Sequence, residues 1–383
     1  IVNNLHAPDI AGLMEMQDNN GATNDSVVDA STTFNTLIGA ISAIGGPSYQ
    51  YRQINPVDDQ DGGQPGGNIR VGFLFNPARV SFVDRASAGS ITANSVVNAG
   101  GTPQLQYSPG RIDPSNSAFL DSRKPLAGEF VFNNRPLFVI ANHFNSKGGD
   151  QPLFGHNQPP ARSSETQREQ QATVVRDFTQ QILAVDPNAN VIVLGDINDF
   201  EFSGSLAILK AAPLNDLVET LPASERYTYV YEGNSQVLDH ILVSGNLAAS
   251  AEYDIVHVNS EFATQASDHE PEVARFVITP LEVTSQVVIV KSGLYYNRRT
   301  SLYTGTMTVT NQGAVIAGPM QILLEGLPSG VTLTNAVGTQ DGSPYLTVTS
   351  GLAASASTTL ELQFSNPSKT PLNYTVRAFS GQF

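Results

Sequence analysis

Val191-Ile192-Val193-Leu194 runs straight into Gly195-Asp196-Ile197-Asn198-Asp199-Phe200. Four consecutive apolar residues bounded by a turn signal read as a buried strand, and the polar groups follow at its end. A two-residue period puts Asp196 and Asn198 on one side of the chain, so both can face a single ligand. A turn that bonds only its own backbone would have the same sequence, so the stretch needs company.

Similar apolar runs lie at Val71-Gly72-Phe73-Leu74-Phe75, Phe138-Val139-Ile140-Ala141, Ile241-Leu242-Val243 and Val273-Ala274-Arg275-Phe276, and each predicts a buried strand. Between them, residues 27–43 carry apolar side chains at Val28, Phe34, Leu37, Ile38 and Ile41, and residues 166–184 at Ala172, Val175, Phe178 and Ile182. Both spacings predict amphipathic helices. Residues 1–279 therefore read as an α/β (α+β) domain with a substantial sheet. Asp58–Gly67 and Gly148–Glu165 are its long loops, and long loops in a compact enzyme often border the active site.

Near Thr279-Pro280-Leu281 the chain turns to Thr, Val, Ser and Gly. Short β-like stretches at Val287–Val290, Ser301–Val309, Gln321–Leu324, Tyr345–Thr349, Thr358–Phe364 and Tyr374–Ala378, with no helical period, predict an all-β immunoglobulin-like sandwich over 280–383. The charge divides at the same place. Residues 1–280 hold 15 Lys and Arg against 31 Asp and Glu, and residues 281–383 hold 5 against 4, which together give the net −15. An acidic first domain repels polyanions at long range, so any nucleic acid must be met by a local basic rim or a bound cation.

The 383 residues contain no Cys, which excludes disulfides, zinc–thiolate sites and thiol nucleophiles. That absence, the low charge density and the many small polar residues lean toward a secreted bacterial protein. No apolar run is long enough to span a membrane.

Three further segments carry chemistry: Pro8-Asp9-Ile10 running to Glu15, Leu238-Asp239-His240, and Ser267-Asp268-His269. A carboxylate at a strand mouth needs a partner when buried, and an imidazole or a metal is the obvious one. Carboxylates, an amide and imidazoles brought to one point suit a divalent cation and a phosphate ester.

Taken in order, Glu15, Asn142-His143, Asp196-x-Asn198, Asp239 and Asp268-His269 resemble the endonuclease/exonuclease/phosphatase superfamily typified by pancreatic deoxyribonuclease. Ser122-Arg123-Lys124-Pro125-Leu126 and Asn142-His143-Phe144-Asn145-Ser146-Lys147-Gly148-Gly149-Asp150 are similar to the secreted bacterial nucleases of that superfamily. The resemblance covers about residues 1–278. It implies a four-layer αββα sandwich of two packed mixed sheets flanked by helices. It also implies a divalent cation (Mg²⁺, with Mn²⁺ or Ca²⁺ as alternatives) held by Glu15 and Asp268. His143, Asp196, Asn198, Asp239 and His269 then become catalytic, with Asp239 fixing His269, and Arg123 contacts phosphate. Asn142 is read as a phosphate hydrogen-bond donor, and Arg70 and Lys147 join a basic rim with Lys124, Arg162 and Arg168. The activity implied is hydrolysis of DNA, with RNA as an alternative, by in-line attack of water, activated by Asp196 or by the His269–Asp239 pair.

Two departures from the family stand out. Its members begin with an apolar strand ending in Asn that leads into a helix, and Ile1-Val2-Asn3-Asn4-Leu5 reads as lying inside that helix, so a central strand and one site residue are expected upstream. Ile69 also stands where the pancreatic enzyme has a glutamate partnering the equivalent of His143, which predicts a different orientation for this imidazole. Two other readings stay open. One is a phosphatase or phosphodiesterase of small phosphoesters, nucleotides or lipid headgroups, which the acidic surface favours; the other is a non-catalytic binding protein. A monomer is expected, with the sandwich in an accessory or adhesive role toward surfaces or other proteins.

Overall fold

A computed structural model describes residues 1–152 and 154–383; Leu153, within the predicted loop 148–165, lies outside the described residues. The chain divides into two units, one of residues 1–132 and 136–277, the other of residues 133–135 and 278–383.

The first unit is organised around two sheets. The smaller has the order β1 (Ile10–Met16), β3 (Arg70–Phe75), β2 (Gln50–Arg52), and it is antiparallel throughout rather than mixed. The larger has seven strands. Its main path runs β9 (Leu214–Asp216), β12 (Asp239–Ser244), β8 (Asn190–Asp196), β7 (Arg135–His143), β6 (Leu126–Phe132), β4 (Ser81–Phe82), and β5 (Gly110–Arg111) also pairs with β6. Only the β7–β8 pair is parallel, so this sheet is mixed as expected.

Side chains show how the layers stack. Helix α1 (Ser31–Ala43) covers the outer face of the small sheet, with Phe34 stacked on Tyr51 at 4.7 Å. It starts at Ser31 rather than at residue 27. On the inner face Phe73 and Phe75 meet Phe130 of the large sheet edge to face. A Cβ at Gly12 would come within 2.3 Å of Leu194, so β1 can lie close to β8 only because it lacks a side chain there. Beyond the large sheet, α2 (Glu165–Val185) and α3 (Gly204–Lys210) bury Ala172, Val175, Phe178, Ile182, Leu206 and Leu209 against Phe138, Ile140, Val191 and Val193. The continuous apolar runs of β3, β7 and β8 reflect burial on both faces.

Two expectations fail here. Residues 1–7 are not helical; they form bends and irregular chain that lead into β1. The 273–276 run is not a buried sheet strand either. Its strand β14 (Glu272–Arg275) pairs only with β13 (Glu252–Ile255) and is partly exposed along its length.

The second unit consists of two antiparallel five-stranded sheets. One is ordered Leu281–Glu282, Thr375–Ser380, Met320–Glu325, Ser343–Val348, Gly338–Gln340. The other is ordered Val287–Lys291, Leu302–Asn311, Ser357–Ser365, Thr332–Leu333, with Tyr295–Asn297 paired to Leu302–Asn311. Met307, Val309, Leu362 and Phe364 from one sheet meet Ile322, Leu324 and Leu346 from the other in a single core. Alternating inward apolar and outward Thr or Ser residues make this a β-sandwich.

Candidate active site

Strand ends of the large sheet bring the chemistry together. In the parallel ladder Asp196 lies opposite His143, and in the antiparallel ladder it lies opposite Asp239. Directly paired residues share a face, so three polar side chains from three adjacent strands point to one side. Gly195 makes this possible: its φ of +123° and the 2.1 Å separation of a hypothetical Cβ from the Asn142 carbonyl exclude any side chain there.

Asn198 follows in the left-handed region at φ 55°, which Asn tolerates better than most residues. Its backbone N donates to Asp196 Oδ1 at 2.8 Å and its Nδ2 to Asp196 Oδ2 at 2.9 Å. Asp196 and Asn198 do converge as the sequence predicted, through a left-handed turn rather than an extended segment.

His269 Nδ1 lies 2.6 Å from Asp239 Oδ2, and its ring packs against Tyr229 at 4.8 Å. Burial alone would lower the pKa of this imidazole, but the hydrogen bond and charge of Asp239, with Asp196 and Asp268 nearby, push it up to about 10. Burial and the Asp239 charge push the Asp196 carboxyl up to about 7. Asp196, Asp239 and His269 each offer a donor atom within 4.8 Å of the others, the only such group of three or more among the described residues.

Glu15 reaches the same centre from the other sheet. It sits at φ 56° where the β1–β3 register slips between Leu13 and Met16, a bulge that re-aims the side chain. Glu15 Oε1 is 3.8 Å and Asp196 Oδ2 3.4 Å from His143 Nε2. His143 itself is held neutral, its pKa drawn well below the usual range by burial and by the positive charges of Arg123 and His269. Its Nδ1 is buried without a hydrogen-bond partner. Arg123 completes the cluster. Its guanidinium feels the charges of Asp196 and Glu15, donates to the Phe144 carbonyl at 2.6 Å and keeps Nε buried and unbonded.

Residues 109–269 match the model of the endonuclease/exonuclease/phosphatase family. Over that segment the chain is similar to the family. No curated relative matches the sequence. Among solved structures, truncated TDP2 of Caenorhabditis elegans is similar at 17% identity and a TM-score of 0.43, over 73% of this chain and 87% of that one. The human Nocturnin catalytic domain, solved with a sulfate anion, is similar at 17% and 0.44, over 71% and 82%. An endonuclease/exonuclease/phosphatase family protein from Leptotrichia buccalis is similar at 12% and 0.43, over 70% and 87%.

Around this cluster, several side chains are engaged otherwise than the resemblance implies. Asp268 is exposed, and neither it nor Glu15 belongs to the group of three donor atoms, which is Asp196, Asp239 and His269. Arg70 is buried and spends its donors on the carbonyls of Asn68 and Val28 and on the side chains of Gln53 and Asn55. It holds loops together and cannot reach a phosphate. Lys147 is committed to Asp199 at 3.0 Å and lies over the Phe200 ring. Asn142 aligns with Gly195, not Asp196, and its Nδ2 donates to the carbonyls of Ile140 and Leu194. Lys124, Arg162 and Arg168 are paired with Asp61, Glu165 and Asp199. Of the proposed basic rim, Arg123 alone combines the lack of an ion-pair partner among the described residues with a buried Nε that makes no hydrogen bond, and Asp196 and Glu15 act on its charge.

Sequence reasoning missed Tyr229, which braces His269, and Thr228, whose Oγ1 accepts from the backbone N atoms of Leu238 and Asp239 at 3.0 and 3.1 Å. The alternation Tyr227-Thr228-Tyr229-Val230-Tyr231 was the signal for a strand with one aromatic face.

Proposed function

We propose that the chain is a divalent-cation-dependent phosphodiesterase that hydrolyses nucleic acid by in-line attack of water. The observation that carries this is the convergence of Asp196, Asp239 and His269 within 4.8 Å, with Arg123 in their field. Asp196 and Asp239 are buried carboxylates whose hard oxygen donors would hold Mg²⁺, Mn²⁺ or Ca²⁺, with the Asp239-bonded His269 ring beside them rather than on the cation. A bound cation supplies charge stabilisation for the phosphoryl oxygens and a more acidic water.

The protein's own groups do the rest. Asp239 fixes the His269 ring through Nδ1 and leaves Nε2 as the nitrogen able to donate to a phosphoryl oxygen. Asp196, held by two hydrogen bonds from Asn198, orients the attacking water, and its raised pKa suits it to take the proton near neutral pH. Arg123 donates to a second phosphoryl oxygen. The opposite directions of need, a carboxylate able to accept near neutral pH and an imidazolium able to donate, support Asp196 as acceptor and His269 as donor. The second unit is proposed as an immunoglobulin-like accessory module.

The commitment of Lys124, Lys147, Arg162 and Arg168 to carboxylates favours a second reading, a small phosphoester as substrate. Incubation with an oligonucleotide, a nucleotide monoester and a choline phosphodiester, each with Mg²⁺ or with chelator, separates the two. Cation-dependent cleavage of the oligonucleotide is expected, and turnover of the small esters alone would replace the nucleic-acid reading.

A further inference from the structure

An enzyme of polyanions normally gains affinity from cations along the backbone track. Here nearly all of those cations are spent internally, and the chain is strongly acidic. What borders the catalytic cluster instead is aromatic. Strand β10 (Tyr229–Tyr231) forms a hairpin with β11 (Asn234–Gln236), and Tyr229 and Tyr231 project from the same face with ring planes 10° apart and centroids 6.3 Å apart. Tyr229 touches His269, whereas Tyr231 is 54% exposed.

This hairpin is rigidly tied to the centre. Tyr229 forms an isolated bridge with His269, the Thr228 carbonyl accepts from Glu270 N at 2.7 Å, and Thr228 Oγ1 binds the backbone that presents Asp239. A second stacked pair, Phe200 and Phe202 at 5.2 Å, follows Asn198, with Phe202 77% exposed. Large exposed aromatic surface beside a polar catalytic cluster is costly to leave in water and marks a binding surface.

We infer that Tyr229 and Tyr231 form a stacking platform for an unpaired nucleobase next to the scissile phosphate, so that the substrate is single-stranded nucleic acid. This rests on the phosphodiesterase reading for the position of the phosphate. Ring faces of bases are accessible in a single strand and hidden in a duplex, and stacking compensates for the missing cationic track. Affinity then depends on bases and only weakly on salt, because few counterions are released.

The test is fluorescence anisotropy with Mg²⁺, using a labelled oligothymidylate and an abasic oligonucleotide of equal length, both with phosphorothioate linkages to slow cleavage. The wild type binds the base-bearing strand about tenfold more tightly. Tyr231→Ala removes that preference, and Tyr231→Trp keeps it. Equal binding of both probes by the wild type, or an undiminished preference in Tyr231→Ala, would overturn the platform. Cleavage of the same sequences with ordinary phosphodiester linkages is scored separately: a Tyr231-dependent preference without cleavage upholds the platform and overturns the phosphodiesterase reading.

Discussion

Asp239 and His240 are neighbours on β12, and each contributes to a histidine–carboxylate pair on opposite faces of the same strand. Asp239 meets His269 at 2.6 Å, and the His269 side chain keeps 26% of its surface exposed, with only Nδ1 engaged. His240 meets Asp216 at 2.9 Å with both side chains wholly enclosed, and its Nε2 contacts the Asp199 carbonyl at 2.9 Å. Both ring nitrogens of His240 face acceptors, so both carry hydrogen and the ring is a buried imidazolium. The chemical pair is the same; a free ring nitrogen with access to solvent separates the pair proposed to react from the structural one. The structural pair has its own use. By gripping the Asp199 carbonyl, whose carboxylate also binds Arg168 and Lys147, it anchors the turn that carries Asn198.

The contrast breaks most readily at Asp216. Asp216→Ala leaves the His240 charge buried and unpaired, and unfolding free energy should fall by about 3 to 5 kcal/mol in a urea titration. His269→Ala also removes the partner of buried Asp239, but the pair keeps solvent access on the His269 side, so the same titration should show a smaller loss of about 1 to 2 kcal/mol; a matching loss of stability would erase the distinction.

A pH series sharpens the comparison. Burial lowers the His240 pKa, but Asp216 outweighs it and raises the folded value to about 9 from the usual 6.5. A raised folded pKa stabilises fully below the unfolded value, and the contribution disappears as pH rises through 9. The stability advantage of the wild type over His240→Phe should therefore shrink by a few kcal/mol between pH 6.5 and 9. A difference flat across that window would contradict a buried imidazolium.

The smallest effect concerns the cations. Arg123→Ala should raise KM for a phosphodiester by about tenfold, whereas Lys147→Ala should leave KM unchanged, since its charge belongs to Asp199. Equal rises in KM would restore Lys147 to the phosphate site.

These residues also show what a sequence makes legible. The strands at 71–75, 138–141, 191–194 and 241–243 were readable because burial on both faces writes itself as an unbroken apolar run. Asp239 with His269 and Asp196 with Asn198 were readable from order along the chain. Arg70 and Lys147 were not, because the fate of a cation depends on what stands opposite it in space, and Asp199 is 52 positions from Lys147. Asn142 was misread by one place: the ladder sets Gly195 beside it and Asp196 beside His143, and a one-residue step reverses the face. Glu15 was assigned by resemblance, but the bulge that turns it toward His143 has no signature in Leu13-Met14-Glu15-Met16.

The most direct test of the central claim is the initial rate of oligonucleotide hydrolysis at saturating Mg²⁺ for the wild type and Asp239→Asn. Loss of the carboxylate that fixes His269 should lower the rate by about 10³-fold, with chelation abolishing what the wild type shows. A full rate in Asp239→Asn would contradict the assignment of Asp196, Asp239 and His269 as the hydrolytic centre.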